Sequence, residues 1–155
     1  MITLTFPRDI TDKIVKELQR AGLREIGGIL LAEHVGTNHF VVREVSAHRL
    51  GTFASFVRRI EEALGRLRRF FEDTQHQYSR YNYIGEWHSH PSFEAEPSAT
   101  DDSSMRDIAL DPKVGAHFVV LVVVKLDSRG LLLGSVHTYL PDGSKHAGRL
   151  DVCAS

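Results

Sequence analysis

Two histidines and an aspartate stand at a spacing that suits a metal ion. His88 and His90 are separated by one residue in a run predicted to form a strand. Because side chains alternate along a strand, both imidazoles project from one face. Ser98 and Asp101 follow at the predicted start of a helix, and the loop before them can fold back onto the strand end. Two imidazoles and one carboxylate are a ligand set of catalytic zinc sites, whose fourth position is left to water.

Each of these residues also has an ordinary structural interpretation. A single strand histidine is more often a hydrogen-bonded surface or core residue than a ligand. Ser98 on its own is a good helix N-cap, and Asp101 on its own stabilises the first turn of a helix by about 0.3–1 kcal/mol. The joint arrangement, and no single residue, therefore favours a metal site.

The spacing resembles the metal-site signature of the JAB/MPN (JAMM) metallopeptidases. His88-x-His90 is followed by seven residues and then by Ser98-x-x-Asp101. Upstream, the run Glu-Ile-Gly-Gly-Ile-Leu that begins at Glu25 stands where the family has a glutamate in a Glu-x-Gly-Gly-x-Leu setting. Two separated motifs in the right order make the resemblance much more specific than either motif alone.

The resemblance implies a zinc-dependent metallopeptidase. Zinc (Zn²⁺) held by His88, His90 and Asp101 would activate a water molecule. Glu25 would take the proton and return it to the leaving amine, and Ser98 would donate to the developing oxyanion, worth about 2.7–4 kcal/mol. In this family the substrate is typically an isopeptide or peptide bond after the C-terminal tail of a ubiquitin-like protein. The expected partner is therefore a ubiquitin-like protein or its conjugate.

Two positions depart from the family pattern. Ala32 stands where the family often has a further glycine, which concerns strand packing. Glu86 stands where many members have an aromatic residue, and strand alternation puts it on the face of His88 and His90. On spacing alone it therefore competes with Glu25 as the proton-handling carboxylate. The run Gly-Glu-Trp-His-x-His-Pro looks like that of short, standalone bacterial members found beside ubiquitin-like conjugation and antiphage genes, and there Glu86 would orient a metal ligand.

The elements that must position these residues follow from hydrophobic periodicity. In the longest helical pattern, residues 55–79, apolar residues recur every three or four positions from Phe56 and Ile60 to Tyr78. The order of elements predicts an α/β fold, a single domain with a mixed β-sheet and packed helices over residues 1–140, followed by a loose tail at 141–155. The resemblance adds a cytidine-deaminase-like architecture. Strands are predicted at 2–6, 26–33, 39–45, 83–89, 119–126 and 131–139, and helices at 7–22, 55–79 and 98–112.

Length and composition limit the classes of function. The chain has 155 residues, 42% of them hydrophobic, which fits one folded domain and excludes general disorder. Its 19 basic and 20 acidic residues nearly cancel, so no overall field attracts nucleic acid or an anionic membrane. The longest apolar run, 118–124, is too short to span a membrane, and the N-terminus has no secretory pattern. With Cys153 as the single cysteine, a cytoplasmic location is expected.

Several other functions compete with the peptidase. The main alternative is a non-catalytic JAB/MPN scaffold or interaction module, against which the intact ligand set argues. A barrel amidohydrolase would need about 250 residues, and a zinc nucleobase deaminase needs a Pro-Cys-x-x-Cys pair, whereas Cys153 stands alone. Acidic residues interleave with the arginines near the long helix, which favours a solvated face over nucleic-acid binding. These arginines are Arg58, Arg59, Arg66, Arg68, Arg69 and Arg80.

Overall fold

Strands and helices follow one another along the chain in the predicted order. The computed structural model describes residues 1–50, 53–112 and 115–153, and for residues 53–60 it describes the backbone alone. Over these ranges the prediction of a mixed α/β single domain is confirmed. The strands are β1 (Thr3–Phe6), β2 (Ile26–Gly36), β3 (His39–Val45), β4 (His48–Arg49), β5 (Tyr81–Ser89), β6 (Val119–Leu126), β7 (Leu132–Tyr139), β8 (Lys145–Ala147) and β9 (Arg149–Val152), and the helices are α1 (Arg8–Ala21), α2 (Phe53–Asp73) and α3 (Ala99–Leu110).

The strands of the described ranges form one mixed sheet. Its order is β8-β7-β6-β5-β2-β3-β1-β9, with β4 beside β2. The pairs β1–β3, β1–β9 and β5–β6 are parallel, and the others are antiparallel. Residues 119–124 of β6 are all buried because helices cover both faces of the sheet there. That double burial explains why β6 reads in the sequence as a continuous apolar run.

The three helices pack on opposite faces of the sheet. Ile10, Ile14 and Leu18 of α1 join the main core on one face, together with side chains from β1, β2, β3, β5, β6 and β7. On the other face, Met105 of α3 packs against β6 and β7. α2 packs against β2 and β5 through Phe70. Among the helices described, none has an apolar stretch that would reach across a lipid bilayer.

The C-terminal segment belongs to the sheet, so the prediction of a loose tail is wrong. β8 pairs with β7 at one edge and β9 pairs with β1 at the other, and Gly148 alone separates the two strands. The Gly148 amide donates to the Val136 carbonyl at 2.8 Å. Leu150 and Val152 of β9 pack against the main core. Strands of three and four residues are too short to show a periodicity in the sequence.

Helix α2 ends at Asp73, whereas its apolar pattern had predicted an end at Ser79. Gln75 and His76 both have φ of 56°, a left-handed conformation in which an α-helix cannot continue. Tyr78 still fits the apolar pattern because its ring packs back on the helix. Phe56, Arg58, Arg59 and Ile60, which the sequence places on this helix, lie outside the described side chains.

A side chain at Gly148 would disturb the junction between the two sheet edges. A Cβ at this position would lie 2.7 Å from the Ile2 carbonyl oxygen and 2.9 Å from Val136 Cγ1. We expect Gly148→Ala to lower the free energy of unfolding, measured with urea, by about 1–3 kcal/mol. Gly65→Ala in α2 is the control, because nothing lies within 4 Å of its Cβ and a helix interior favours alanine by about 1 kcal/mol. A Gly148→Ala protein as stable as the wild type would contradict the observed junction.

Glu33 of β2 is a buried carboxylate with two arginine partners. Its Oε1 lies 2.7 Å from Arg80 Nη2, and its Oε2 lies 2.7 Å from Arg43 Nη2. Hydrogen bonds from Arg80 lower the pKa of Glu33 below its ordinary value; burial opposes this shift, and Arg43 adds to it. Because the folded pKa is depressed, this stabilisation is present above the unfolded pKa and is lost as the pH falls through the folded value.

Replacing Glu33 should therefore cost stability at neutral pH more than in acid. We expect Glu33→Gln to reduce the free energy of unfolding by about 1–3 kcal/mol at pH 7, since hydrogen bonds to a charged group are lost. The difference should begin to shrink below about pH 4, where the carboxyl of the unfolded chain gains a proton, and should disappear once the folded carboxyl is protonated too. Glu17→Gln, which removes a surface pair with Arg20 at 3.3 Å, is the control and should change stability by less than about 1 kcal/mol. A Glu33→Gln deficit that stays constant from pH 7 to pH 3 would exclude the charge as its source.

Candidate active site

The histidines and the aspartate of the predicted metal site come together between β5 and α3. His88 is in β5, His90 follows its end, and Asp101 is in the first turn of α3. Asp101 Oδ1 lies 3.0 Å from His88 Nδ1, and Asp101 Oδ2 lies 3.1 Å from His90 Nε2. The three side chains are 11%, 9% and 13% exposed, respectively. The carboxylate therefore lies between two buried imidazoles.

Ser98 and Asp101 also form the cap that begins α3. Asp101 N donates to Ser98 Oγ at 3.1 Å, and Ser98 N donates to Asp101 Oδ2 at 2.9 Å, which makes a complete capping box. Burial raises the pKa of Asp101, but hydrogen bonds with His88 and Ser98 outweigh it and hold that pKa well below its ordinary value. Asp101 is thus an anion at neutral pH. Since Ser98 Oγ acts as the acceptor in the cap, its own hydroxyl hydrogen remains available to donate.

The ring of His90 is oriented by the loop that follows it. Its Nδ1 lies 3.2 Å from the Glu94 carbonyl oxygen. A carbonyl only accepts, so Nδ1 carries the hydrogen and Nε2 is the nitrogen turned towards Asp101. A pairing of Nε2 with a carboxylate requires a proton or a cation between the two atoms. A backbone carbonyl that fixes the tautomer in this way is a common partner of a metal-binding histidine.

His88 contacts a carboxylate at each of its ring nitrogens. Asp101 lies at Nδ1, and Glu86 Oε2 lies 3.1 Å from Nε2. Burial lowers the pKa of His88, but the hydrogen bonds with Asp101 and Glu86 outweigh it and raise that pKa to about 9. In this arrangement His88 is an imidazolium at neutral pH, so a metal ion that binds it must displace a proton. The structure thus places Glu86 on the predicted face and in contact with His88.

Glu25, the other candidate for handling a proton, lies just before β2 and is exposed. Its neighbour Gly27 pairs with His88 across the sheet, which puts Glu25 near the same end of β5. In the part of the chain that the structure describes, however, the Glu25 carboxylate makes no hydrogen bond with the site residues. It lines an open cavity of about 380 Å³ with Arg24, Arg49 and Leu50.

The Gly27-Gly28 pair allows β2 to approach its neighbours closely. A Cβ on Gly27 would lie 2.4 Å from the Trp87 carbonyl oxygen and 3.0 Å from His88 Cδ2, and a Cβ on Gly28 would lie 1.9 Å from the Ser46 carbonyl oxygen. Trp87 Nε1 donates to that same Ser46 oxygen at 2.8 Å. Glycine within a strand permits this close approach, which seats the His88 ring against β2.

The donor set fits zinc in its chemistry, because imidazoles and carboxylates are preferred zinc ligands and a nitrogen of each imidazole lies close to the Asp101 carboxylate. Yet no three or more His, Cys, Asp or Glu side chains in the described ranges surround a space ready for an ion. The Asp101 oxygens already contact both imidazoles. Binding of an ion would therefore replace these mutual contacts.

The residues of β7 and β8 that fasten the start of α3 to the sheet were not predicted from the sequence. Asp102 accepts a hydrogen bond from the Tyr139 hydroxyl at 2.5 Å and contacts Lys145 Nζ at 2.9 Å. Hydrogen bonds with Tyr139 and Lys145 hold the pKa of Asp102 below its ordinary value, although burial opposes them. The alternation of Ser135, His137 and Tyr139 along one face of β7 was the available signal.

A family profile described as prokaryotic homologues of the JAB domain matches residues 7–137. This range contains every residue of the candidate site. Two proteins named CD-NTase/cGAS isopeptidase are similar in sequence. The one from Enterobacter hormaechei is 25% identical over 134 residues, which cover 84% of this chain and 71% of that protein. The one from Vibrio cholerae is 33% identical over 82 residues, which cover 53% of this chain and about half (52%) of that protein.

Two solution structures are similar in fold. A protein from Desulfitobacterium hafniense has a TM-score of 0.67 at 16% identity, with 98% of this chain and 94% of that chain covered. A protein from Salinibacter ruber has a TM-score of 0.56 at 21% identity, with 99% and 92% covered. At these identities the likeness concerns the fold alone.

Proposed function

The chain belongs to the family of prokaryotic homologues of the JAB domain, and from this membership we propose that it is a zinc-dependent isopeptidase that cleaves after the C-terminal tail of a ubiquitin-like protein. One observation carries the proposal: the Asp101 carboxylate lies 3.0 Å and 3.1 Å from the nitrogens of His88 and His90. The isopeptidase names of the relatives from Enterobacter hormaechei and Vibrio cholerae support the class of reaction. The proposed partner is a ubiquitin-like protein or its conjugate in the cytoplasm.

In this proposal His88, His90 and Asp101 hold the zinc ion. When bound, zinc supplies a Lewis acid that makes a water more acidic and polarises the scissile carbonyl. Glu86 contacts the His88 nitrogen that does not face Asp101, and the Glu94 carbonyl contacts the corresponding nitrogen of His90. Partners in these positions orient the rings of metal ligands and strengthen their basicity.

Glu25 moves the proton. Its carboxylate is exposed and makes no hydrogen bond with any other described residue, so an oxygen is available to accept a proton from the attacking water and return it to the leaving amine. Glu86 suits this role less well because its Oε2 is engaged by His88. The Ser98 hydroxyl, an acceptor from Asp101 N, uses its hydrogen to stabilise the developing oxyanion.

A non-catalytic scaffold is the second candidate. It is favoured by the direct contacts of the Asp101 carboxylate with both imidazoles, which leave no ready space for an ion in the described ranges. Such a protein would keep its fold through the same residues without using them in catalysis. Metal content therefore separates the two functions.

Loss of one imidazole should remove the metal. We expect wild-type protein, purified without chelator, to contain about one zinc per chain, and His88→Ala to lose both zinc and activity, since two protein ligands rarely hold zinc against buffer. His146→Ala, which changes an exposed histidine of β8, is the control and should keep both. Metal is measured by plasma mass spectrometry, and folding by circular dichroism. Folded wild-type protein with almost no metal would favour the scaffold.

Removal of the proposed base should stop cleavage without removing zinc. We expect Glu25→Gln to lower the cleavage rate by about 100-fold or more, because the proton acceptor is lost and the ligands are untouched. Glu86→Gln should instead weaken zinc binding by about tenfold, because it changes the partner of His88. The assay follows ubiquitin-like proteins with C-terminal extensions by intact mass. If Glu25→Gln cleaves as fast as the wild type while Glu86→Gln is inactive, the assignment of the base is wrong.

A further inference from the structure

Three polar side chains of β7 face the segment that carries Ser98 and Asp101. Ser135, His137 and Tyr139 alternate along β7 and therefore share one face of the sheet. α3 packs on this face, where Tyr139 is fully buried beside Met105 and Ala109 of the helix. The intervening residues of β7 face the opposite core.

Ser135 and His137 hold the loop before α3. Ser135 Oγ donates to the Ala95 carbonyl at 2.5 Å, and His137 Nε2 lies 3.2 Å from Glu96 Oε2. Ser135 Oγ also lies 2.9 Å from that same His137 nitrogen. A Ser-His-Glu relay needs the serine and the carboxylate at different ring nitrogens, so this cluster is not a second nucleophilic centre. Its contacts instead fasten the loop to the sheet.

The loop is bound through its backbone at consecutive positions. The carbonyl of Phe93 accepts from Lys125 Nζ at 2.9 Å, and the carbonyl of Ala95 accepts from Ser135. Between them, the carbonyl of Glu94 is the group that orients His90. A segment without regular structure loses its conformational freedom only where such bonds hold it. The contacts of β6 and β7 therefore reach His90 as well as the helix.

Tyr139 holds the first turn of α3. Its hydroxyl donates to Asp102 Oδ1 at 2.5 Å, and Lys145 Nζ of β8 lies 2.9 Å from the same oxygen. Asp102 is the residue after Asp101, and its amide donates to the Ser98 carbonyl at 2.9 Å. Fixing Asp102 against the sheet therefore fixes the turn that presents both Ser98 and Asp101.

We propose that Ser135, His137, Tyr139 and Lys145 form a polar ladder that positions Asp101 and Ser98 for the site. They are positioning residues, since each acts through the loop or through Asp102. The zinc part of this inference rests on the proposed function. The placement of the segment does not, because it follows from contacts that exist without a metal.

The test compares two hydroxyl deletions on neighbouring residues of β7. Tyr139→Phe removes the bond to Asp102, and Thr138→Val removes a buried hydroxyl on the opposite face that has no hydrogen-bond partner among the described residues. We expect Tyr139→Phe to raise the zinc dissociation constant of the folded protein by about tenfold in competition with a chelator, and to lower kcat with KM unchanged. Thr138→Val should leave all three quantities at wild-type values. Thermal unfolding of each variant separates this effect from a loss of fold.

Amide hydrogen exchange of metal-free protein tests the ladder independently of zinc. The amides of Asp101 and Asp102, both bonded to Ser98, should exchange several-fold faster in Tyr139→Phe than in Thr138→Val. If Tyr139→Phe does not fold, Ser135→Ala is the second variant and should show the same change. Equal exchange and equal zinc affinity in the two hydroxyl variants would overturn the ladder. Wild-type protein that binds no zinc would overturn the proposed function, and the exchange comparison would still decide for or against the ladder.

Discussion

The structure around the site depends on one partly buried anion, the Asp101 carboxylate, whose side chain is 13% exposed. The Asp101 carboxylate accepts the Ser98 amide and contacts His88 and His90, so it joins the end of β5, the start of α3 and the loop between them. A buried charge is costly unless every side of it is compensated, and here three partners provide that compensation. The contacts that complete the helix cap are therefore the same contacts that gather the candidate ligands. The local fold and the candidate ligand set therefore depend on the same atoms at this point of the chain.

The segment that joins the two sheet edges contacts this site through a second carboxylate, that of Asp102. Residues 145–152 join the two sheet edges, and Lys145, at the start of that segment, contacts Asp102 beside the candidate ligand. Tyr139 reaches the same oxygen from β7. The last strands of the chain thus brace the first turn of α3 from outside, while Gly27 lets β2 support His88 from the strand beside it. The candidate ligands lie between these two supports.

The sequence could predict those features of the site that depend on residues close together in the chain. The face shared by Glu86 and His88 follows from strand alternation, and the cap between Ser98 and Asp101 follows from residues three apart, so both were predictable. The strands on either side of Gly148 could not be predicted in the same way, because β8 and β9 have only three and four residues and β9 pairs with β1, which is distant in sequence. The end of α2 was not predicted, because the helix stops at two residues in the left-handed conformation while the apolar pattern continues past them. The polar ladder could not be predicted, because its contacts depend on where α3 and the loop before it pack on the sheet.

The two glutamates near the site differ in what already occupies their oxygens, and this difference bears on their roles. Glu86 is held against a buried imidazolium, where its charge helps to raise the pKa of His88. A carboxylate in that position stabilises the charged ring. It could take a proton from another group only after its ion pair with His88 had broken. Glu25 has no such partner in the described ranges and lines an open cavity, so its carboxylate oxygens are open to solvent. A general base must have an oxygen free to take a proton, and under the proposed function this requirement favours Glu25 over the engaged Glu86.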